Sequence, residues 1–433
     1  MKPEKSCAAS SETALQTEHA AQYANGLLTD LGFSPNVETL ADHPALSYRR
    51  SGLLKTTGLM LPFPLASHID GALMALKTLA STAEKLPNCG SLLLGERARL
   101  RETVRDGRFC AGGYGRLIET KDGLIALNLV REDDWDLIPA WLEDYAQNWD
   151  DIERFSAEKD ADYLVERAAE IGLAVAKDEM PPKPESWFSI QSFTQAKCSN
   201  PLIVDLSGLW AGPLASSLLS LAGARVIKVE SPTRPDGMRG GHQGFYSLLN
   251  AGKDCVALNF RDADDLEKLK GLLEKADIVI EASRPRALRQ LGIRAEDFVA
   301  RQPGKIWARL TAYGQAENRI GFGDDIGISA GLASIMGQAH GEPCFVGDAI
   351  ADPVNGVHLA LAIQAYLKKG GGVVIDLTMR DVLRCAMGDI PQDCAAIARE
   401  WQDLVDQDNM PLYQMREPGG EVKLLGADNE VWV

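Results

Sequence analysis

Apolar residues in the second half of the chain come in short bursts separated by longer amphipathic stretches. Residues 202–206, 225–230, 255–259, 277–281 and 305–311 are brief runs carrying β-branched side chains, as strands buried on both faces should. Between them, residues 215–221, 264–274 and 295–300 space their apolar positions at helical intervals. Strand and helix in alternation predict parallel pairing with helical crossovers, hence a doubly wound α/β domain. The turn into the first of these helices carries Gly212 and Pro213, where the missing side chain of Gly212 allows close backbone approach and the free N–H groups of a helix start attract anions. It lacks a G-x-G-x-x-G run, so a nicotinamide or flavin reading loses its main support.

The wording of these segments is specific. VIKVESP, LLNAGKDCVALNF, DIVIEASRP, RQLGI and LTAYGQ follow one another over roughly residues 200–388. In order and spacing they resemble the class III CoA-transferase family (CaiB/BaiF type). The resemblance implies a Rossmann-like parallel-sheet domain plus a smaller α+β domain. It also implies an enzyme that moves CoA between an acyl-CoA thioester and a free carboxylic acid.

In that family a nucleophilic Asp lies just before a small-residue helix, and FVGDAIADPVNGVHLALAI matches this loop at Asp352. A carboxylate with an ordinary pKa near about 4 is ionised at neutral pH and needs no general base to attack a thioester. Aspartyl anhydride and aspartyl-CoA intermediates follow from the resemblance, and both need protection from water. An Asp before Pro at a helix entry is also a common N-terminal cap, which is the plainer reading of the residues alone. Asp348 is a second carboxylate in the same loop, and His358 reads as a packed helix residue.

The first 190 residues hold a degenerate copy of this region. SGLLKTTG (residues 51–58) lines up with AGLASIMG (residues 330–337), and residues 64–80 line up with residues 349–365. Ser67 falls opposite Asp352, with no His–carboxylate pair placed to activate it, so this copy reads as structural. The segment from Gly95 to Leu142 then resembles the family's smaller domain, placed before the nucleotide-binding half instead of after it. Its turn, residues 111–115, is the candidate mobile loop, with Gly112 and Gly113 as backbone donors to an oxyanion or as an ordinary hairpin turn. The expected organisation is a disordered tail (1–20), the degenerate copy with the small domain (21–176), a linker (177–199), the CoA-binding domain (200–388) and a docking segment (389–433).

For coenzyme A, as acyl-CoA substrate, the resemblance points to Ala211, Gly212, Arg234, Lys253 and Arg284. The family's Asn-Phe before Arg-Pro is Ala282-Ser283 here, and Gln290 stands where many members have Arg. The α-methylacyl-CoA racemases share the fold and use a His-Asp pair, but Asp324 replaces the His. Near its ordinary pKa Asp324 would be a weak proton donor, although Asp325 and Asp352 could act as a carboxylate pair. A racemase or isomerase, and a catalytically silent CoA-binding homologue, therefore stand as alternatives to the transferase.

A net charge of −16 over 433 residues, without a basic stripe, disfavours nucleic acid as a partner. Apolar stretches break short of a membrane span and the N-terminus has no apolar signal core, so the expected protein is soluble and cytoplasmic. Eight scattered cysteines suggest neither a metal site nor a disulfide framework, and Cys110 and Cys344 are candidates for spatial proximity. The resemblance implies a homodimer, or a tightly closed monomer in which residues 50–190 pack against residues 200–388.

Overall fold

The computed structural model describes residues 16–103 and 107–433. A small antiparallel sheet of β1 (Gly115–Glu119), β2 (Leu124–Asn128) and β3 (Ala174–Lys177) precedes a seven-stranded sheet. The larger sheet comprises β4 (Ser189–Ser192), β5 (Leu202–Asp205), β6 (Arg225–Glu230), β7 (Asp254–Ala257), β8 (Ile278–Glu281), β9 (Ile306–Thr311) and β10 (Val373–Thr378). Its spatial order is β4-β10-β9-β8-β5-β6-β7, parallel except for β4. The reversal of direction beside β5 creates the crevice where doubly wound sheets bind ligands, outside the carboxyl ends of the strands.

The short apolar runs are explained by two-sided burial. Ile203, Ile278, Ile280, Ile306, Ala308, Val373 and Ile375 face one core, while Val204, Val279, Trp307 and Val374 face the other. Successive side chains point to opposite faces, so a strand covered by helices on both sides must be apolar at nearly every position. The second core is closed by helices Ala263–Lys275 and Ala295–Arg301.

The first core is shared between the two halves of the chain. Helices α1 (His19–Asp30), α2 (Leu65–Leu79) and α3 (Leu92–Arg101) contribute Leu28, Ile69, Leu73 and Leu94 to the cluster that contains Leu214 and Val357. Those last two belong to α4 (Ala211–Leu221) and, after α5 (Gly323–Ser329), α6 (Ala351–Lys368). The repeat appears in the geometry. A Cβ on Gly71 of α2 would lie 2.3 Å from the Ala20 carbonyl oxygen of α1, and one on Gly356 of α6 would lie 2.9 Å from the Ala211 carbonyl oxygen of α4. Gly71 and Gly356 are opposite one another in the sequence register, so both copies use a glycine to bring two helix backbones together. Gln364 of α6 donates to the Leu79 carbonyl at the end of α2, joining the copies.

The segment from residue 107 to 177 stands apart from this core. Helices Asp134–Leu142 and Ala161–Ile171 pack Trp141, Ile138 and Leu164 against Ile125 and Leu127 of the small sheet. It meets the main body through Cys110, Leu117 and Ala126, which contact Ile328, Ala333 and Phe345.

Two expected stretches look different in space. Residues 177–199, expected as a linker, include β4, whose antiparallel pairing with β10 closes one sheet edge. The expected tail, residues 1–20, lies mostly outside the described residues, but Gln16–Thr17 form a strand and His19 opens α1. At the chain's other end, residues after 407 run back over the N-terminal helices, with Arg416 on Glu96, and Asn429 then caps the open edge of β7 at Ala257. Covering that edge blocks strand-to-strand association. Among the described residues no helix is long and apolar enough to cross a membrane.

Candidate active site

The loop before α6 is shaped by conflicting demands that its neighbours resolve. Ala349 sits at φ 48°, the left-handed region that a side chain disfavours. It is held there by its N–H, which donates to Asp324 at 2.8 Å. Gly323, one residue earlier, allows the loop to approach: a Cβ there would lie 2.2 Å from Asp352 Oδ2 and 2.5 Å from the Ala349 carbonyl oxygen. The turn into α4 has a similar construction. Leu209 is left-handed at φ 64°, and its N–H donates to Asp236 at 3.0 Å.

Asp352 thus stands in the first turn of α6 and against the first turn of α4, where its Oδ1 accepts the Ala211 N–H at 3.3 Å. Two helix N-termini face one carboxylate, which favours its ionised form. Burial opposes this more strongly and pushes Asp352 up to about 7; Arg97 pulls it down, Asp324 adds to the rise, the Ala211 N–H lowers it and Asp348 raises it. The expectation of an ordinary pKa near 4 is therefore corrected, because the sequence does not reveal the burial or the neighbouring carboxylates.

Those neighbours are occupied. Asp348 is fully buried and takes Arg97 on both oxygens, with Nε at 2.8 Å. Asp324 accepts the Ala349 N–H and lies against the Cys110 thiol. Burial, followed by the charge of Asp348, lifts Asp324 to about 6, against the pull of Arg97. Asp324 is thus not at its ordinary value either. Asp325 reaches back to the Phe322 N–H at 2.9 Å and accepts Asn128 at 3.2 Å, as a helix-start carboxylate does, and burial raises it to about 7. Its Oδ2 has no hydrogen-bond partner among the described residues.

A cleft of about 170 Å³ opens beside Asp352, and Gly208, Ala211, Gly212, Arg284, Arg319 and Phe322 are among its walls. Asp352 is half-buried and among its lining residues. The cleft is smaller than the ~300 Å³ usual for a whole ligand, which suits the reacting end of a long one. Of the five residues expected at coenzyme A, Ala211, Gly212 and Arg284 line this cleft.

Lys253 and Arg234 do not. Lys253 is buried beneath α4, where its ammonium contacts Asp205 at 3.2 Å, the Pro213 carbonyl at 3.0 Å, Ser216 at 2.7 Å and Asn250 at 3.1 Å. With its three protons shared among internal acceptors, it has none to offer a phosphate. Arg234 lies in the exposed turn after β6, its N–H bonded to the Ser231 carbonyl. The glycine turn lies off this cleft: the Gly113 N–H closes the turn onto the Cys110 carbonyl at 2.9 Å, and neither Gly112 nor Gly113 is among the lining residues. His358 packs as expected, with Nδ1 on the Val354 carbonyl and Nε2 on Tyr23; burial lowers it to about 4, so it is neutral. Ser67 is buried in α2.

Arg97 is the residue that sequence reasoning missed. It comes from α3, and its guanidinium stacks on Trp210 at 4.6 Å while gripping Asp348. Its partner lies 251 positions away, and nothing in the run GERARL distinguishes it from a surface arginine.

Residues 199–413 match the family model described as CoA-transferase family III. Among curated relatives, succinyl-CoA:glutarate CoA-transferase of Homo sapiens is 32% identical over 191 residues, covering 41% of this chain and 44% of that protein. Acetyl-CoA:oxalate CoA-transferase of Acetobacter aceti is 29% identical over 206 residues, 43% of this chain and 53% of that protein. A solved CaiB/BaiF family protein from Brucella suis superposes with a TM-score of 0.41 at 24% identity, over 51% of this chain and 60% of that one. The chain spans about half the length of the curated relatives it matches.

Proposed function

The chain belongs, through residues 199–413, to CoA-transferase family III, and on that premise we propose that it transfers CoA from an acyl-CoA thioester to a free carboxylic acid with Asp352 as nucleophile. One observation carries the assignment. Of three clustered carboxylates, Asp348 is locked to Arg97 and Asp324 to the Ala349 N–H, whereas the Asp352 side chain holds, among the described residues, only a long bond to Ala211 and lines the cleft.

The ionised Asp352 attacks the thioester carbonyl, and the C–S bond breaks to release CoA thiolate and leave an acyl-aspartyl anhydride. The thiolate then attacks the aspartyl carbonyl, expelling the donor carboxylate and leaving aspartyl-CoA. An acceptor carboxylate displaces the thiolate again, and attack of that thiolate on the new acyl group gives the new acyl-CoA and regenerates Asp352. Each step develops an oxyanion beside the start of α4, where the Gly212 N–H lacks an intrahelical partner, Pro213 has no N–H and the Ala211 N–H is given to Asp352. Gly212, without a side chain, leaves room for that approach, and Arg284 at the cleft wall offers a cation to the anionic parts of the substrate.

The test is intact-mass spectrometry after mixing with acyl-CoAs, followed by hydroxylamine trapping. A label on Asp352, lost in Asp352→Ala along with acyl exchange while CoA still binds, is the expected result. A label on Asp348 or Ser67, or normal exchange by Asp352→Ala, overturns it.

Proton exchange α to the thioester is the second reading, favoured by the raised Asp324 and Asp325 and by the unpartnered Asp325 oxygen. In deuterium oxide a 2-methylacyl-CoA is expected to keep its α-proton while an added acid yields a new acyl-CoA. Rapid deuteration without acceptor-dependent exchange reverses the order of the two readings.

A further inference from the structure

The N-terminal helices lie outside the matched segment, yet they supply a residue to the site. We propose that Arg97 is a positioning residue for the reaction at Asp352, tying the loop that carries the nucleophile to the first turn of α4 and presenting a positive charge to the carboxylate. The inference rests on the reading of Asp352 as nucleophile.

Both walls of the site depend on this guanidinium. On one side its fork grips Asp348, four residues before Asp352. On the other its Cζ lies over the Trp210 ring, 4.6 Å from the centre, and 5.9 Å from the centre of the Phe245 ring. Trp210 immediately precedes Ala211, whose N–H holds Asp352. A planar cation can bond in its plane and stack on its face at once, which an ammonium cannot reproduce. Both Trp210 and Asp348 are buried, so the bridge is held in a place where water does not screen it.

The charges around Asp352 define the arginine's second effect. Arg97 faces it from α3, Asp324 from the start of α5 and Asp348 from its own loop, with the Ala211 N–H opposite; Arg284 and Arg319 line the outer cleft. Three carboxylates meeting without Arg97 would oppose one another's ionisation. Its removal therefore withdraws charge support from the nucleophile as well as a brace from the loop. Removing Asp348 takes away the brace but leaves the arginine's charge uncompensated. The two changes thus weaken the same contact and act on Asp352 with opposite electrostatic sign.

The experiment measures the rate of covalent labelling by acyl-CoA against pH in the full chain, for the unaltered protein, Arg97→Met and Asp348→Asn. In Arg97→Met the midpoint is expected to rise by about one pH unit, and in Asp348→Asn to fall below that of the unaltered protein. Arg97→Lys should recover part of the midpoint but little of the maximal rate. Midpoints that stay put, or move the same way in both variants, overturn the proposal and leave Arg97 as packing alone. Should Arg97→Met not fold, Asp348→Asn decides: a fall in its midpoint supports the charge coupling, and an unmoved midpoint overturns it. Failure of the reading beneath is separable, since the unaltered protein would then take no label on Asp352.

Discussion

Replacing Gly323 by Ala is the smallest change that should disable the site while sparing every group that takes part in the chemistry. The added methyl would sit 2.2 Å from Asp352 Oδ2, 2.5 Å from the Ala349 carbonyl oxygen and 2.7 Å from the Ala349 Cβ. To restore even a 3.0 Å separation, Asp352 must retreat by about 0.8 Å. The Ala349 backbone cannot easily yield, because it is already left-handed and its N–H is held by Asp324. Overpacking of this kind costs about 1–3 kcal/mol. A displacement near 1 Å at a reacting group costs on the order of 100-fold in rate. Steady-state acyl transfer and thermal melting, measured together, separate the two effects. The expected Gly323→Ala protein is folded, melts lower and is at least tens of times slower. Gly271→Ala, in the helix Ala263–Lys275 where a Cβ meets nothing within 4 Å, serves as control and should leave the rate unchanged. A Gly323→Ala protein with ordinary rate and melting temperature would refute the description of the loop.

Other outcomes are equally specific. With Asp352 as the proposed nucleophile, the transfer rate should rise as pH climbs through about 7, since a carboxylate attacks only when ionised. The same group binds its proton more tightly folded than unfolded, so its contribution to folding is present at low pH and lost between about 4 and 7; Asp352→Asn should therefore melt higher than the unaltered protein at pH 8, and equal or lower melting would contradict the raised value. Lys253→Met leaves buried Asp205 without its ion pair and should destabilise by about 3–5 kcal/mol in chemical denaturation; a variant of ordinary stability with a raised KM for acyl-CoA would return Lys253 to the binding site. Residues 200–433 expressed alone expose the face that Leu28, Ile69 and Leu73 cover and should be molten or insoluble, which near-ultraviolet circular dichroism would show; a well-folded, fully active fragment would make the N-terminal helices a separable accessory.

The parallel sheet was legible because its strands are apolar at nearly every position, and five of its six parallel strands lie at or within a residue or two of an expected run, whereas β10 (Val373–Thr378) had no expected run. β4 was not, since Ser189, Gln191 and Ser192 are polar and exposed at an edge, where one face and one side of the strand remain open. For the candidate site, a loop wording pointed to Asp352, which lines the cleft, whereas Lys253 lies away from it beneath α4. A lysine reads the same in sequence whether it reaches solvent or threads beneath a helix to a buried aspartate. Arg97 and the raised carboxylates share a different obstacle. Their behaviour is produced by partners brought together only when the two halves of the chain share one core, so no local pattern records it.

The two glycine crossings, Gly71 on Ala20 and Gly356 on Ala211, bear on how the chain assembles on the ribosome. Each is a socket shaped for a close-packed helix, and two similar sockets in one polypeptide invite exchange of partners during folding. Synthesis order relieves the competition: α1 and α2 emerge before α4 exists and can close on each other first. Pairing of the later helices then proceeds with the earlier socket filled. Rearranging the coding order so that residues 199–433 are made first would remove this protection while keeping both helix crossings in the final fold.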